Sequence, residues 1–298
     1  MATRTTTKHH IPHPDELGTS IVGVLEQLAP GQSTAGRPIA LILHGAMGHK
    51  DYLFQKRLAL RLPMDSFRFD FRGNHETGGE FKQGSLMDDV DDIAVVVAYL
   101  KRTFGYIPDL LVGHSRGAVV AQYWICKTED GRRVRGMVNA SGWYRMHRAY
   151  DHMTIWGPEI EKNGFYAWRA VVARKPVVGR VSLETLADFA AWDTSFIWAE
   201  FPDQVDVLTV HGLRDGVVPV CVPPPSLPPA ISYDAVLHAR ALGNRSPGTH
   251  MLHLAKDADH NFTGRYDEIV DTILEWWALH QEGRLVSGIW KQGVQGKL

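Results

Sequence analysis

The chain has 298 residues, with 32 lysines and arginines against 33 aspartates and glutamates, for a formal net charge of -1. That balance excludes the broad basic field that non-specific nucleic-acid binding needs, and it argues against dependence on a charged tail. A hydrophobic content of 44% and a charged content of 22% exclude intrinsic disorder, and the length admits two domains or one large α/β domain with a sizeable core.

Two cysteines, Cys126 and Cys221, cannot build a disulfide framework, so the chain suits a reducing compartment. The N-terminal stretch MATRTTTKHHIPHPDELG has no apolar core of the kind a secretory signal carries, and no run of eighteen apolar residues is present to span a membrane. The expectation is a cytoplasmic protein with neither nucleic acid nor membrane as a partner. Oligomeric state is not legible.

In chain order, residues 1–18 are polar and read as an N-terminal tail. Ile21–Leu28 reads as a first strand. Ile39–Leu43 (IALIL) is a short, wholly apolar run ending at His44-Gly45, which suits a strand buried on both faces of a parallel sheet. Tyr52–Leu60 reads as a helix, and Phe67–Phe71 (FRFDF) as a strand entering a turn. Val90, Ile93, Val97 and Leu100 form a helical stripe within Met87–Lys101. The apolar run Asp109–Gly113 then meets a turn and a helix over Gly117–Cys126. Met137–Ala140, Val207–His211 and Thr249–Leu254 are further strands. Asp267–His280 is an amphipathic helix that opens on acidic residues. Such alternation predicts an α/β domain over 19–298 with a mostly parallel central sheet flanked by helices.

Residues 142–204 break the alternation. They hold five of the nine tryptophans, Trp143, Trp156, Trp168, Trp192 and Trp198, and read as a helical cap insertion between two core strands. Within it Ser182–Trp198 reads as one helix, with Ser182 as N-cap and Thr185 three residues on, short of a full capping box. The VPPPSLPPA stretch at 222–230 admits neither helix nor central strand and reads as a stiff surface loop.

Gly113-His114-Ser115-Arg116-Gly117 is a G-x-S-x-G between an apolar strand and a helix, the context that gives this motif meaning. The glycines permit a sharp turn that projects Ser115 at the C-terminal edge of the sheet. A serine hydroxyl needs a base, and the base an orienting acid. In this architecture they follow in the order Ser, Asp, His. Asp215 stands just past the strand Val207–His211, and His260 just past Thr249–Leu254 and before the last helix. Both fall at the same sheet edge as Ser115, where open α/β sheets bind ligands.

Among rival histidines, His9, His10 and His13 lie in the tail. His44 and His211 are expected to hold turns, His114 to pack beside the elbow, and His250 and His253 to lie within a strand. The rival acid is Asp70, which precedes the serine and is expected to fix its turn through Arg72 or backbone N–H groups. An oxyanion hole needs two backbone donors. The N–H of Arg116 supplies one. Ala46, in the loop after Ile39–Leu43, is chosen for the other, with Met47 as the alternative. Arg116's guanidinium is expected in a structural ion pair. Met47, Trp192 and Trp198 are the candidate substrate-binding side chains. No H-E-x-x-H, cysteine cluster or G-x-G-x-x-G after a strand appears, so neither a metal nor a dinucleotide cofactor is expected.

The segments LILHGAMGHKD, FRFDFRGNHETGG, LLVGHSRG, VHGLRDGVVPV and DADHNFTGRYDEIVDTILEW resemble, in order, those of α/β-hydrolase-fold serine esterases over roughly residues 20–280. The set is similar to fungal esterase-like hydrolases and, more distantly, to cinnamoyl/feruloyl esterases and serine aminopeptidase-like hydrolases. The resemblance implies a sheet with a cap, a Ser115-Asp215-His260 triad by position, and a small-molecule ester substrate with no cofactor. Relatives that use an Asp nucleophile dehalogenate or open epoxides, and Ser115 disfavours both reactions. The chain departs from the family around Pro223–Ser232, where the family runs from V-V-P-V almost directly into the helix placed here at Tyr233–Leu242. The alternatives are a peptidase or thioesterase with the same triad, or a catalytically silent binding protein of this fold.

Overall fold

The computed structural model describes residues 4–16, 18–218 and 233–290. Cys221 and the proline-rich 222–230 stretch lie outside them.

The elements run β1 (Thr5–Pro12), β2 (Ser20–Gln27), β3 (Pro38–Leu43), α1 (Gln55–Arg61), β4 (Asp65–Phe69), α2 (Leu86–Phe104), β5 (Ile107–His114), α3 (Arg116–Lys127) and β6 (Gly136–Ala140). A cap segment follows, holding α4 (Met153–Asn163), β7 (Tyr166–Val172), β8 (Lys175–Val181), α5 (Leu183–Ala190) and α6 (Phe196–Ala199). The chain then returns to β9 (Asp206–Gly212), α7 (Tyr233–Leu242), β10 (His250–Ala255), α8 (Tyr266–Gln281) and β11 (Gly288–Ile289).

Nine strands form one sheet in the order β1-β2-β4-β3-β5-β6-β9-β10-β11. From β4 through β11 every neighbouring pair is parallel, while β1 and β2 are antiparallel additions at one edge. The wholly apolar central runs are explained by this arrangement. Leu41 and Leu111 pack into one apolar cluster with α2 and α3, while Ile42 and Val112 pack into the other with α1 and α8. Successive side chains point to opposite faces, so a strand covered on both sides must be apolar throughout.

Three expectations are corrected here. Residues 1–18 are not simply a tail. Thr5–Pro12 pairs along its length with β2, and Ile11 is buried. Backbone hydrogen bonding to an existing edge orders a polar segment without an apolar pattern of its own. The cap is not wholly helical, because Tyr166–Val172 and Lys175–Val181 form an antiparallel hairpin. Nor is Ser182–Trp198 one helix, since α5 ends at Ala190 and α6 starts at Phe196. The α5 cap is also a full capping box. Ser182 Oγ accepts from the Thr185 N–H and Thr185 Oγ1 accepts from the Ser182 N–H, so threonine fills the place usually taken by Glu or Gln.

Candidate active site

The turn between β5 and α3 is as tight as the glycines implied. A Cβ on Gly113 would stand 2.5 Å from Ala118 Cα, and one on Gly117 would stand 2.5 Å from the His44 carbonyl oxygen. Ser115 itself takes φ 51° and ψ -118°, a strained conformation for a non-glycine residue. The strained turn directs the hydroxyl away from the helix it caps.

Asp215 and His260 stand past the ends of β9 and β10, which are adjacent in the sheet and lie on the same side of β5. His260 Nε2 lies 2.9 Å from Ser115 Oγ, and His260 Nδ1 lies 2.9 Å from Asp215 Oδ2. With Nδ1–H donating to the carboxylate, Nε2 is left to accept from the serine hydroxyl. The structure thus brings the three predicted residues into one hydrogen-bonded line across 145 positions of sequence.

The Asp215 carboxylate is tied down on both oxygens. Oδ1 accepts the N–H groups of Val217 and Val218, each at 2.9 Å. Oδ2 faces two imidazoles, with His211 Nε2 at 3.1 Å in addition to His260. Burial pushes its pKa up, but the charge of His260, its hydrogen bond and the nearby His211 ring outweigh burial and hold it well below the ordinary carboxylate value. His211 therefore sits at the carboxylate rather than merely holding a turn. His44 does hold its turn, donating from Nδ1 to the Gly45 carbonyl and accepting the Phe71 N–H at Nε2.

His114 donates to the His260 carbonyl at 2.9 Å, and Ser141 Oγ donates to the same oxygen at 3.1 Å. Burial, followed by the nearby charge of His260, lowers the His114 pKa to about 3, so it supports the loop as a neutral ring. Asp70 is remote from this line. It binds Lys50 Nζ at 2.5 Å and the backbone N–H groups of Lys50 and Glu76. The expected Arg72 partner binds Asp92 instead.

Among the described residues, the N–H groups of Ala46, Met47 and Arg116 have no protein acceptor. Arg116 is the first residue of α3, where N–H groups lack intrahelical partners and the dipole favours negative charge. Its side chain is buried in an ion pair with Asp89 at 2.5 Å and also donates to the carbonyls of Gln83 and Ser85. The guanidinium is therefore spent on structure, and only the backbone is free to face a ligand.

A cavity of about 410 Å³ opens above Ser115, bounded on the sheet side by Ala46, Met47 and His260. Its far wall comes from the cap, chiefly Trp143, His152, Trp156, Trp168 and Phe189. His152, Trp156 and Tyr166 stack in sequence, with ring centroids 4.8 and 5.5 Å apart at angles of 17° and 15°. Met47 is placed as expected, but Trp192 and Trp198 are not. Trp192 packs on Tyr123 behind the cavity, and Trp198 is 57% exposed beneath Arg240. The reason is the break after Ala190, which turns α6 away from the path α5 would have followed. His152 was missed by sequence reasoning. Its signal was the four-residue spacing to Trp156, which places the two rings on one side of a helical turn.

Among the described residues, one cluster has atoms close enough to hold a cation, with single ligand atoms of Asp70, His75 and Glu76 within 4.8 Å of one another. Lys50 Nζ already stands 2.5 Å from both carboxylates, so its ammonium supplies the positive charge there.

Residues 35–169 match the family model of serine aminopeptidase, S33. An uncharacterized protein of Saccharomyces cerevisiae is 25% identical over 250 residues, covering 76% of this chain and 69% of that protein. Among solved structures, a hydrolase of Agrobacterium vitis superposes with a TM-score of 0.62 at 20% identity, over 90% of this chain and 98% of that one. Est1E of Butyrivibrio proteoclasticus, solved with ferulic acid bound, gives 0.65 at 14% identity over 92% and 99% of the two chains. An esterase of Pyrococcus furiosus gives 0.62 at 14% identity over 92% and 90%. The chain has the α/β-hydrolase fold. In this hydrolase-fold chain the elbow after β5 and the loops after β9 and β10 carry the assembled side chains, and the cap between β6 and β9 roofs them. Among the described residues, no helix is long and apolar enough to cross a membrane.

Proposed function

We propose that the chain is a serine hydrolase that cleaves carboxylic esters through an acyl-enzyme. The observation that carries this reading is the line from Ser115 Oγ through His260 to Asp215, with both links at 2.9 Å, at the floor of an aromatic-walled cavity. Ser115 attacks the ester carbonyl while His260 Nε2 takes its proton. The oxyanion of the tetrahedral intermediate is held by the N–H groups of Arg116 and Ala46. His260 returns the proton to the leaving alcohol, and Asp215 stabilises the imidazolium and fixes its tautomer. A water deprotonated by His260 then releases the acid. The favoured substrates are neutral esters with an apolar or aryl group, because an uncompensated charge against the aromatic wall is costly.

The peptidase reading has the family-model description in its favour. Against it, none of the described residues lining the cavity is Asp or Glu. An aminopeptidase would need an acid there to hold the substrate's ammonium group. The deciding experiment uses the parent and Ser115→Ala with nitrophenyl esters of rising chain length, aryl esters, an aminoacyl nitroanilide and a fluorophosphonate probe. Ester turnover and labelling in the parent, both lost by roughly 10^4 to 10^6 in a folded Ser115→Ala, are expected. Full labelling of Ser115→Ala, or turnover of the anilide alone, would overturn the assignment.

A further inference from the structure

The β7–β8 hairpin has two faces of opposite character. Cross-strand partners share a face, and faces alternate along each strand. Trp168, Ala170, Val172 and Gly179 are buried or half-buried and point toward the body of the protein, while Val177 and Lys175 on the same face, nearer the tip, are exposed. The other face carries Ala167, which is buried at the base, and then Arg169, Val171, Pro176, Val178 and Arg180, all exposed. Val171 is 71% and Val178 58% exposed. An outward sheet face is ordinarily polar, yet this one is aliphatic at its centre. Arg169 and Arg180 flank the aliphatic patch at the base of the hairpin, and Arg174 and Lys175 stand at its tip. From Gly164 to Leu183 the sequence has these four cations and no acid. Among the described residues only Arg169 comes near a carboxylate, that of Glu159 at 3.9 Å. The tip is a tight turn, with Ala173 at φ 47° and Arg174 at φ 68°, which holds the strands in register.

We propose that the outward face of this hairpin docks on an anionic lipid bilayer. Charge complementarity and shape select this partner. Short aliphatic side chains ringed by arginine and lysine suit shallow insertion among headgroups, with the cations remaining at phosphate level. A protein partner is a poorer match. The face has no aromatic anchor, and two short strands cannot supply the roughly 800 Å² per side of a stable protein interface. The expectation that a membrane is not a partner rested on the lack of a spanning segment, and peripheral docking needs none. The hairpin also lines the cavity, at Trp168, Ala170 and Val171.

The test is co-sedimentation of the full chain with phosphatidylcholine vesicles, with and without about one-third phosphatidylserine, at low and high salt. Binding only to the anionic vesicles, weakened by salt, is expected. Arg174→Glu/Lys175→Glu lies outside the cavity lining and should lower the partition coefficient about tenfold or more. Glu at φ 68° is no more strained than Arg, and an unchanged thermal melt checks the fold. Val178→Asp should lower binding as well. Ser115→Ala should bind as the parent does, so docking is judged apart from the catalytic reading. No sedimentation with anionic vesicles, equal binding to neutral ones, or full binding by the folded double variant would each overturn the proposal. Binding of an acidic protein without any of vesicles would do the same.

Discussion

Asp215→Asn tests the proposed machinery most sharply, because the structure dictates how the amide must sit. Oδ1 of the native carboxylate accepts two backbone N–H groups, from Val217 and Val218, each at 2.9 Å. Oδ2 receives the Nδ1–H of His260. In the variant, one orientation keeps the amide oxygen on the two N–H groups and turns the NH₂ toward His260. The reverse sets the NH₂ against two backbone donors and leaves both unsatisfied, at about 1–3 kcal/mol each. Even the low end, roughly 2 kcal/mol for the pair, favours the first orientation about thirtyfold. In that orientation Nδ1 must accept, its proton moves to Nε2, and the ring no longer takes a proton from Ser115. Turnover should fall by about 10^4. The fall should appear in kcat at constant KM, since Asp215 does not line the cavity. A nitrophenyl ester assay with a thermal melt of the same variant measures both. Loss of activity that follows loss of folded protein, or a folded variant within tenfold of the parent, would refute the reasoning.

Arg116→Met should destabilise by about 3–5 kcal/mol, because the buried Asp89 carboxylate loses its cation. The molecules that remain folded should keep their kcat, since only the backbone of residue 116 is assigned to the oxyanion; a kcat loss without a stability loss would reverse that division. Trp168→Ala should raise KM for aryl esters more than for acetate esters, whereas Trp192→Ala should lower the melting temperature and leave both KM values unchanged, and equal KM effects from the two variants would show that the wall is misassigned. Buried His114, His238 and His250 have pKa values lowered by burial from 6.5 to about 3, 4 and 3. Below pH 6.5 the unfolded chain therefore binds more protons than the folded one, and stability falls progressively toward pH 4. Asp215 adds its own loss below the ordinary carboxylate range as its depressed pKa is approached. The urea midpoint should decline from pH 7 to pH 4, and a flat profile would exclude the linkage.

Much of this was legible in the sequence, for a local reason. A buried parallel strand must be apolar throughout, so IALIL and DLLVG announce themselves, and the elbow glycines are required by contacts within a few residues. Chain order put Asp215 rather than Asp70, and His260 rather than the other histidines, at the edge where Ser115 stands, because the C-terminal ends of parallel strands share one edge, and the structure brings these three within hydrogen-bonding reach. Tertiary structure decided what depends on packing between distant segments. The pairing of Thr5–Pro12 with β2 has no apolar signature, since a strand added at an edge is held by backbone hydrogen bonds. Cap tryptophans look alike in sequence whether they line a cavity or fill a gap. It took the break after α5 to send Trp192 onto Tyr123 and Trp198 to the surface, and the β7–β8 hairpin to bring Trp168 over Ser115. His211 joined the carboxylate for the same kind of reason. Only the fold of the loop after β9 carries Asp215 back to within 3.1 Å of a side chain in the strand it has just left.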